Sequence, residues 1–272
     1  MTDLYAVFGN PIVQSKSPYI HGEFAKQTLQ DISYQAIESP VDQFESTLRT
    51  FITQGAKGAN VTAPFKEQAY ALCDELSELA KLAGAVNTLS FTSKGKIIGD
   101  NTDGVGLVND LQMQFGALDS KRILLVGAGG AARGCILPLL QSHIGKLVIC
   151  NRTYSKAQQL ATLFHDYGHV CAEDINLLND EFDIVINSTS AGLTGKLAPL
   201  PEAIIGPNTM CYDMSYGKNL TIFNQWAQSV GAKHTVDGLG MLVGQAAKSF
   251  SIWRGVMPDP QMIMSTIRQQ MS

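Results

Sequence analysis

The sequence predicts an α/β protein built on parallel sheets, and three observations carry that expectation. Short apolar runs recur with helical patterns between them, one such run passes through a glycine-rich turn into an apolar helix near residue 127, and no Pro/Gly/Ser-rich linker or repeat breaks the alternation. Strands separated by helices tend to lie parallel, because each crossover helix packs back onto the sheet. At 272 residues the chain is long for one core and suits two modest domains.

Strands are expected at Tyr5–Phe8, Ser33–Ile37, Gly58–Val61, Val86–Phe91, Arg122–Val126, Lys146–Cys150, Asp183–Asn187 and Thr209–Asp213. Helices are expected at Ser17–Gln30, Val41–Gln54 and Ser155–Tyr167, with another running to Phe115. The stretch Leu239–Gln270 is helical in pattern, with Pro258 dividing it into two segments.

Composition narrows the function. Apolar residues make up 45% and charged residues 16%, which excludes a disordered chain. The net charge of −4 provides no basic field, so neither nucleic acid nor an anionic membrane is an expected partner. No apolar run is long enough to span a bilayer, and Met1–Tyr5 has no signal-peptide character. The five cysteines form no C-x-x-C and the five histidines no H-E-x-x-H, so neither a disulfide framework nor a metal site is expected, and a cytoplasmic protein is.

Arg122–Val126 runs directly into Gly127-Ala-Gly-Gly-Ala-Ala-Arg133, followed by the apolar segment Gly134–Leu140. In this strand–turn–helix, Gly127 allows the tight turn, Gly129 lets backbone approach a pyrophosphate, and Ala132 permits close helix–strand packing. Backbone N–H groups around Ala128, Gly130 and Ala131 would then face the phosphates at the positive end of the helix dipole. The following strand ends in Asn151-Arg152-Thr153-Tyr154-Ser155-Lys156. A carboxylate there would select NAD by accepting from the ribose 2′-hydroxyl and would repel a 2′-phosphate. An amide, a guanidinium, hydroxyls and an ammonium stand there instead, which points to NADP, although Arg152 and Lys156 also read as solvated charges. Asp183–Asn187 leads into the small polar loop Ser188–Leu193, where an open sheet of this type binds its ligand.

The first hundred residues hold polar clusters that core building does not need. Ser15 and Ser17 flank Lys16 where a strand gives way to a helix, so they either cap that helix or hold a carboxylate. Lys66 follows Asn60-Val-Thr62-Ala-Pro64-Phe and would ordinarily be a surface cation. Asn87 closes Ala85-Val-Asn, and Asp103 closes Asp100-Asn-Thr-Asp, which also reads as a capped turn.

Taken together and in this order, the segments resemble the shikimate dehydrogenase family across nearly the whole chain, including Asp237-Gly-Leu-Gly-Met-Leu-Val-Gly-Gln245. The resemblance implies NADPH-dependent, reversible reduction of 3-dehydroshikimate to shikimate in aromatic biosynthesis. It also implies a two-domain α/β fold in which a Rossmann-like NADP-binding domain, 102–238, is inserted into an N-terminal substrate domain formed by 1–101 plus 239–272, with hinges after Gly99 and near Gly238. By position, Lys66 and Asp103 would be catalytic, and Ser15, Ser17, Thr62, Asn87, Asp103, Tyr216 and Gln245 would bind substrate. The cofactor would be held by Gly127, Ala128, Gly129, Gly130, Ala131, Asn151, Arg152, Thr153, Tyr154, Ser155, Lys156, Met214 and Gly238, with Glu78 a weaker candidate that also reads as a solvated helix residue. The Ser188–Leu193 loop and Ser215 depart from the family pattern, and the assembly would be a monomer or homodimer. Two alternatives stay open: a quinate/shikimate dehydrogenase paralogue, often NAD-linked, and a non-catalytic NADP-binding regulatory protein. Asn151 argues against the first and the Lys66–Asp103 pair against the second. Other dehydrogenases with the same nucleotide domain, of the methylene-tetrahydrofolate or glutamyl-tRNA reductase type, fit the Ser15, Ser17 and Asp103 segments poorly.

Overall fold

The computed structural model describes residues 2–189 and 199–271. The chain divides into two compact units, Met1–Gly106 with Val243–Thr266 and Leu107–Leu242 with Ile267–Ser272.

In the first unit the order is β1 (Asp3–Gly9), α1 (Ser17–Thr28), β2 (Ile32–Glu38), α2 (Phe44–Thr53), β3 (Gly58–Val61), α3 (Lys66–Leu72), β4 (Glu75–Leu76), α4 (Glu78–Ala83), β5 (Thr88–Phe91) and β6 (Ile97–Asp100), leading into α5 (Asp103–Phe115). The sheet runs β2-β1-β3-β5-β6-β4 and is mixed: β5 pairs antiparallel with both β3 and β6. β1, β2 and β3 pair in parallel as expected, and β5 is the departure. The Val86–Phe91 run precedes a short apolar segment, Ile97–Asp100, joined to it by a tight turn at Gly95 and not by a helix, so the two form a hairpin. Phe8, Phe44, Phe51, Phe65, Val86 and Leu89 build the core on one face of this sheet.

On the other face, His21 is wholly buried and stacks on Tyr34 with ring centroids 4.2 Å apart. Burial pushes its imidazole down to about 3 from an ordinary 6.5. Between those values the unfolded chain binds a proton that the folded chain refuses, so stability rises with pH across that window. His21 should therefore remove up to ~1.4 kcal/mol per pH unit on acidification below about pH 6.5. Thermal melts of His21→Phe should show a shallower loss between about pH 7 and about pH 5 than the parent. Parallel slopes would refute that role.

In the second unit come β7 (Arg122–Val126), α6 (Gly130–Gln141), β8 (Lys146–Cys150), α7 (Tyr154–Leu163), β9 (Val170–Ala172), β10 (Ile184–Asn187), β11 (Met210–Asp213), α8 (Ile222–Ser229) and β12 (His234–Asp237). The chain continues through α9 (Leu239–Arg254) and α10 (Gln261–Met271). Every pairing in this sheet among the described residues is parallel, in the order β12-β11-β10-β7-β8-β9. This is the doubly wound arrangement, with the reversal of strand order between β7 and β10. β7, β8 and β10 are almost entirely apolar because both of their faces are covered, and Leu124, Val126, Val148 and Val185 lie in the core they share with Phe182 and Phe223.

Among the described residues, no helix is long and apolar enough to cross a membrane, and no group of His, Cys, Asp and Glu could hold a metal ion. All five cysteines are free, and burial pushes the Cys73, Cys150 and Cys211 thiols up to about 12, which keeps them inert.

Candidate active site

One edge of the first sheet gathers the polar clusters of the N-terminal unit. Register places Asn60 opposite Thr88, and Thr88 opposite Asp100. Because β5 runs antiparallel, its start lies beside the ends of β3 and β6, which brings Asn87 level with Val61, next to Thr62, and with the turn before Asp103. Thr62 is tied to the end of β1 by its N–H, which donates to the Phe8 carbonyl at 2.9 Å. The Asn10–Ser17 loop follows β1 at that same edge.

At its centre Lys66 Nζ donates to Asp103 Oδ2 at 2.5 Å. The lysine side chain is 31% exposed and the aspartate 16%, so this is a half-buried pair and not a surface ion pair. Asn87 Nδ2 donates to the other oxygen, Asp103 Oδ1, at 2.8 Å, and lies 3.4 Å from Gln245 Oε1 on α9. Lys66 opens α3 and Asp103 opens α5, so both side chains hang from helix starts. Phe65, fully buried, anchors the chain immediately before the lysine. Ser15 Oγ accepts from the Ser17 N–H at 3.3 Å at the start of α1, which leaves the Ser15 hydroxyl proton available to a ligand. Glu78 is exposed in the first turn of α4. A carboxylate at that position favours the helix dipole, and nothing else engages it among the described residues.

The second unit places its candidates with similar economy. Val126 is level with Cys150 and Asn187, Asn187 with Asp213, and Asp213 with Asp237. The next residue on each strand is Gly127, Asn151, Ser188, Met214 and Gly238, so every one of these loops leaves the same carboxyl edge of one sheet. Gly127 has φ +115, and a Cβ there would collide with Ser188 Oγ. A Cβ on Gly238 would collide with the Met214 carbonyl oxygen, so the loops after β11 and β12 touch through backbone. Gly129 and Gly130 open α6 with no side-chain cap, and a Cβ on either would find nothing within 4 Å. The backbone of this turn is therefore exposed and uncrowded, so an anion could approach the uncapped first-turn N–H groups.

After β8, Asn151 Nδ2 donates to the Thr153 carbonyl at 2.9 Å, shaping a turn that leaves Arg152, Thr153, Tyr154, Ser155 and Lys156 exposed. The first turn of α7 holds no carboxylate. Two cations at a helix start oppose the dipole, and an anion would relieve that opposition. Tyr216, on the loop after β11, is 37% exposed.

Residues 7–89 match the model of the shikimate dehydrogenase substrate binding domain, residues 110–194 that of shikimate/quinate 5-dehydrogenase, and residues 238–268 that of the shikimate 5′-dehydrogenase C-terminal domain. Shikimate 5-dehydrogenase of Thermus thermophilus, solved with NADP(H) and shikimate, is 30% identical over 98% of this chain and 99% of its own, with a TM-score of 0.86. The chain belongs to the shikimate dehydrogenase family. The Ael1 enzyme from Pseudomonas putida is 44% identical over 97% of this chain and 98% of its own, with a TM-score of 0.93. The 5-ketofructose reductase of Gluconobacter sp. strain CHM43 is 28% identical over 99% of each chain, with a TM-score of 0.86, so this scaffold also carries a reductase of another polyhydroxylated ketone. As in this family, the chain combines an N-terminal α/β substrate domain with a Rossmann-like NADP domain.

Several polar residues of the site have no role assigned from the sequence, although Asn60 heads the motif that carries Lys66 and Thr102 lies within the one that carries Asp103. Asn60, Thr88, Thr102 and Ser249 form a buried layer under Asn87, joined by hydrogen bonds of 2.7 to 3.4 Å. Beyond that adjacency, their sequence signal is that polar residues occupy strand and helix positions that should be apolar. In the NADP domain, buried Asp213 accepts from Asn187 Nδ2 at 3.1 Å and from the Ser215 N–H at 3.0 Å, and Asn187 Oδ1 in turn accepts from Thr189 Oγ1 at 2.8 Å. Burial raises the Asp213 carboxyl above its ordinary range, opposed by these hydrogen bonds. Of the Ser188–Leu193 loop only Ser188 and Thr189 are described, and the rest lies outside the described residues.

Proposed function

We infer that this chain catalyses the reversible NADP-linked interconversion of 3-dehydroshikimate and shikimate, within aromatic (chorismate) biosynthesis. The observation that carries this reading is the Lys66–Asp103 pair at 2.5 Å, half-buried at the edge of the substrate domain and completed by Asn87 on the second carboxylate oxygen.

Reduction of a ketone needs a hydride at carbon and a proton at oxygen, and NADPH supplies the hydride when bound. The glycine cradle and the carboxylate-free turn at Asn151 fit that cofactor: Gly127 to Ala131 would hold the pyrophosphate, Asn151 to Lys156 the 2′-phosphate, and Met214 and Gly238 the nicotinamide side. Lys66 would place an ammonium N–H at the carbonyl oxygen, stabilising the charge that develops there and donating the proton. In the oxidative direction the same nitrogen takes the proton back. Asp103 fixes the lysine in that orientation and accepts a substrate hydroxyl. Ser15 and Ser17 would bind the carboxylate, with Thr62, Asn87, Tyr216 and Gln245 holding hydroxyls or carboxylate. A substrate read by that many hydrogen bonds is discriminated sharply from analogues lacking one hydroxyl, because a buried partner would be left unpaired. The assembly would be a monomer or homodimer, and the free cysteines suit a reducing cytoplasm.

The experiment is NADP reduction by purified protein, comparing shikimate with quinate and with a ketofuranose or ketopyranose alcohol, and NADP with NAD. Turnover restricted to shikimate and NADP supports the reading, and silence with shikimate overturns it. Arg152→Ala tests the cofactor half. Losing one charge-assisted contact should raise KM for NADPH by about ten- to a hundredfold and leave KM for NADH nearly unchanged. Equal effects on both would remove Arg152 from the phosphate site.

A further inference from the structure

We propose that Tyr34 and Asn60 are positioning residues for proton transfer: a buried hydrogen-bond chain from Tyr34 through Asn60 sets the orientation of Asn87, and Asn87 sets Asp103 against Lys66. The inference rests on the activity proposed above and extends it to residues that touch neither substrate nor cofactor.

The chain is traced atom by atom. Asn60, on β3 and only 6% exposed, directs its Nδ2 to the Asn87 carbonyl at 3.1 Å, to Ser249 Oγ at 3.0 Å and to Thr88 Oγ1 at 3.3 Å. A carbonyl can only accept, so the Asn87 carbonyl forces the amide nitrogen of Asn60 to face it and turns Oδ1 the opposite way. There the Tyr34 hydroxyl donates to Oδ1 at 2.7 Å, which secures that orientation.

The next layer repeats the logic. Thr88 Oγ1 donates to Asn87 Oδ1 at 2.8 Å, and the Thr102 N–H donates to the same oxygen at 2.9 Å. With Oδ1 occupied by donors, the Asn87 amide nitrogen must point outward, where it meets Asp103 Oδ1 at 2.8 Å. The second carboxylate oxygen is then the one left for Lys66 Nζ.

Two features argue against a purely structural role. Burying Asn60, Asn87, Thr88, Thr102 and Ser249 together is costly compared with an apolar layer, which would complete the sheet's core without any hydrogen-bond constraint. A network satisfied in full fixes one arrangement, and preorganisation of a reacting pair requires just that. Tyr34 is held in place from its far side by the His21 ring, parallel to within 6°. Burial holds the Tyr34 phenol well above its ordinary pKa, opposed by the Ser17 hydroxyl, so it remains a donor at every working pH.

The test is Tyr34→Phe, which deletes one oxygen and leaves the ring stacked on His21. Its kcat for shikimate oxidation should fall by about ten- to a hundredfold, as expected when reacting groups lose their alignment. KM for NADP should barely move while kcat falls, a split that a merely structural residue would not produce, and the thermal midpoint should drop only by the few degrees that leaving Asn60 Oδ1 unpaired costs. In an Asn87→Ala background the same substitution should cost almost nothing more, because its effect passes through Asn87. Ser249→Ala, removing a hydroxyl of the same layer from α9, should show the same split with a smaller loss. Wild-type kcat in both Tyr34→Phe and Ser249→Ala, or a Tyr34→Phe loss that multiplies in full on Asn87→Ala, overturns the positioning role and leaves the activity standing. Failure of the parent protein to oxidise shikimate overturns the activity, and the positioning role with it.

Discussion

Lys66→Ala is expected to lower kcat by roughly 10²–10⁴-fold, the range typical of a lost general acid–base group. The alternative is that Lys66 is an ordinary surface lysine paired with a convenient carboxylate. An exposed pair of that kind contributes about 0–1 kcal/mol to stability and nothing to turnover. The geometry favours the first. A 2.5 Å contact with both side chains largely covered, and an asparagine placed on the free carboxylate oxygen, exceeds what a stabilising surface pair requires. NADPH binding, followed by its fluorescence, should be unaffected, since the lysine belongs to the substrate domain. Substrate affinity should fall only modestly. Turnover near that of the parent in Lys66→Ala would exclude the lysine from the chemistry. Asp103→Asn provides the companion result: it keeps the shape, removes the charge that orients the ammonium, and should depress kcat with unaltered NADPH affinity.

Gly127→Ala should have the second largest effect, on the other half of the reaction. The backbone at Gly127 has φ +115, a conformation that costs a residue with a side chain roughly 1–3 kcal/mol. The new methyl would also collide with Ser188 Oγ. That hydroxyl cannot simply swing away, because it donates to the Val126 carbonyl at 2.7 Å and so ties the loop after β10 to the end of β7. The methyl must displace one of the two loops at the point where the strand order reverses. NADPH affinity should therefore fall by about ten- to a hundredfold, with a lowered melting temperature that excess NADPH only partly restores. Unchanged affinity in titration would show that this turn does not grip the nucleotide.

The nucleotide domain is the more legible half, for a local reason. Strand, turn and helix are contiguous in Arg122–Leu140, and the identity of the residue after the next strand, Asn151, bears directly on cofactor choice. Parallel strands buried on both faces read as apolar runs, so β7 and β8 are legible to the residue, and β10 and β11 to within one. The short elements are harder. β4, two residues long, and α4, six residues long, have too little periodicity to register in any window. β6 escapes notice because Lys96-Ile-Ile-Gly-Asp is too short an apolar run to announce itself.

Residue identity and order were enough to establish a two-part α/β chain, a dinucleotide turn lacking an acidic selector, and a set of polar segments that ordinary packing does not require. These rest on contacts within a few residues, where local geometry follows from side-chain chemistry. What only the tertiary structure decided is which of those segments meet. Lys66 and Asp103 are 37 positions apart, and Asn87 and Gln245 are 158. Their convergence depends on β5 running antiparallel between β3 and β6, which returns Asn87 to the edge where Thr62 and Asp103 emerge. The β5–β6 hairpin follows from a local turn, but its seating beside β3 is a pairing between distant segments that no local pattern encodes. The same holds for the chain that leads from Tyr34 to Asp103: its first members, Tyr34 and Asn60, have no pattern of their own in sequence, and burial of Asn60, by removing the competing water, confines its amide to the partners the fold supplies.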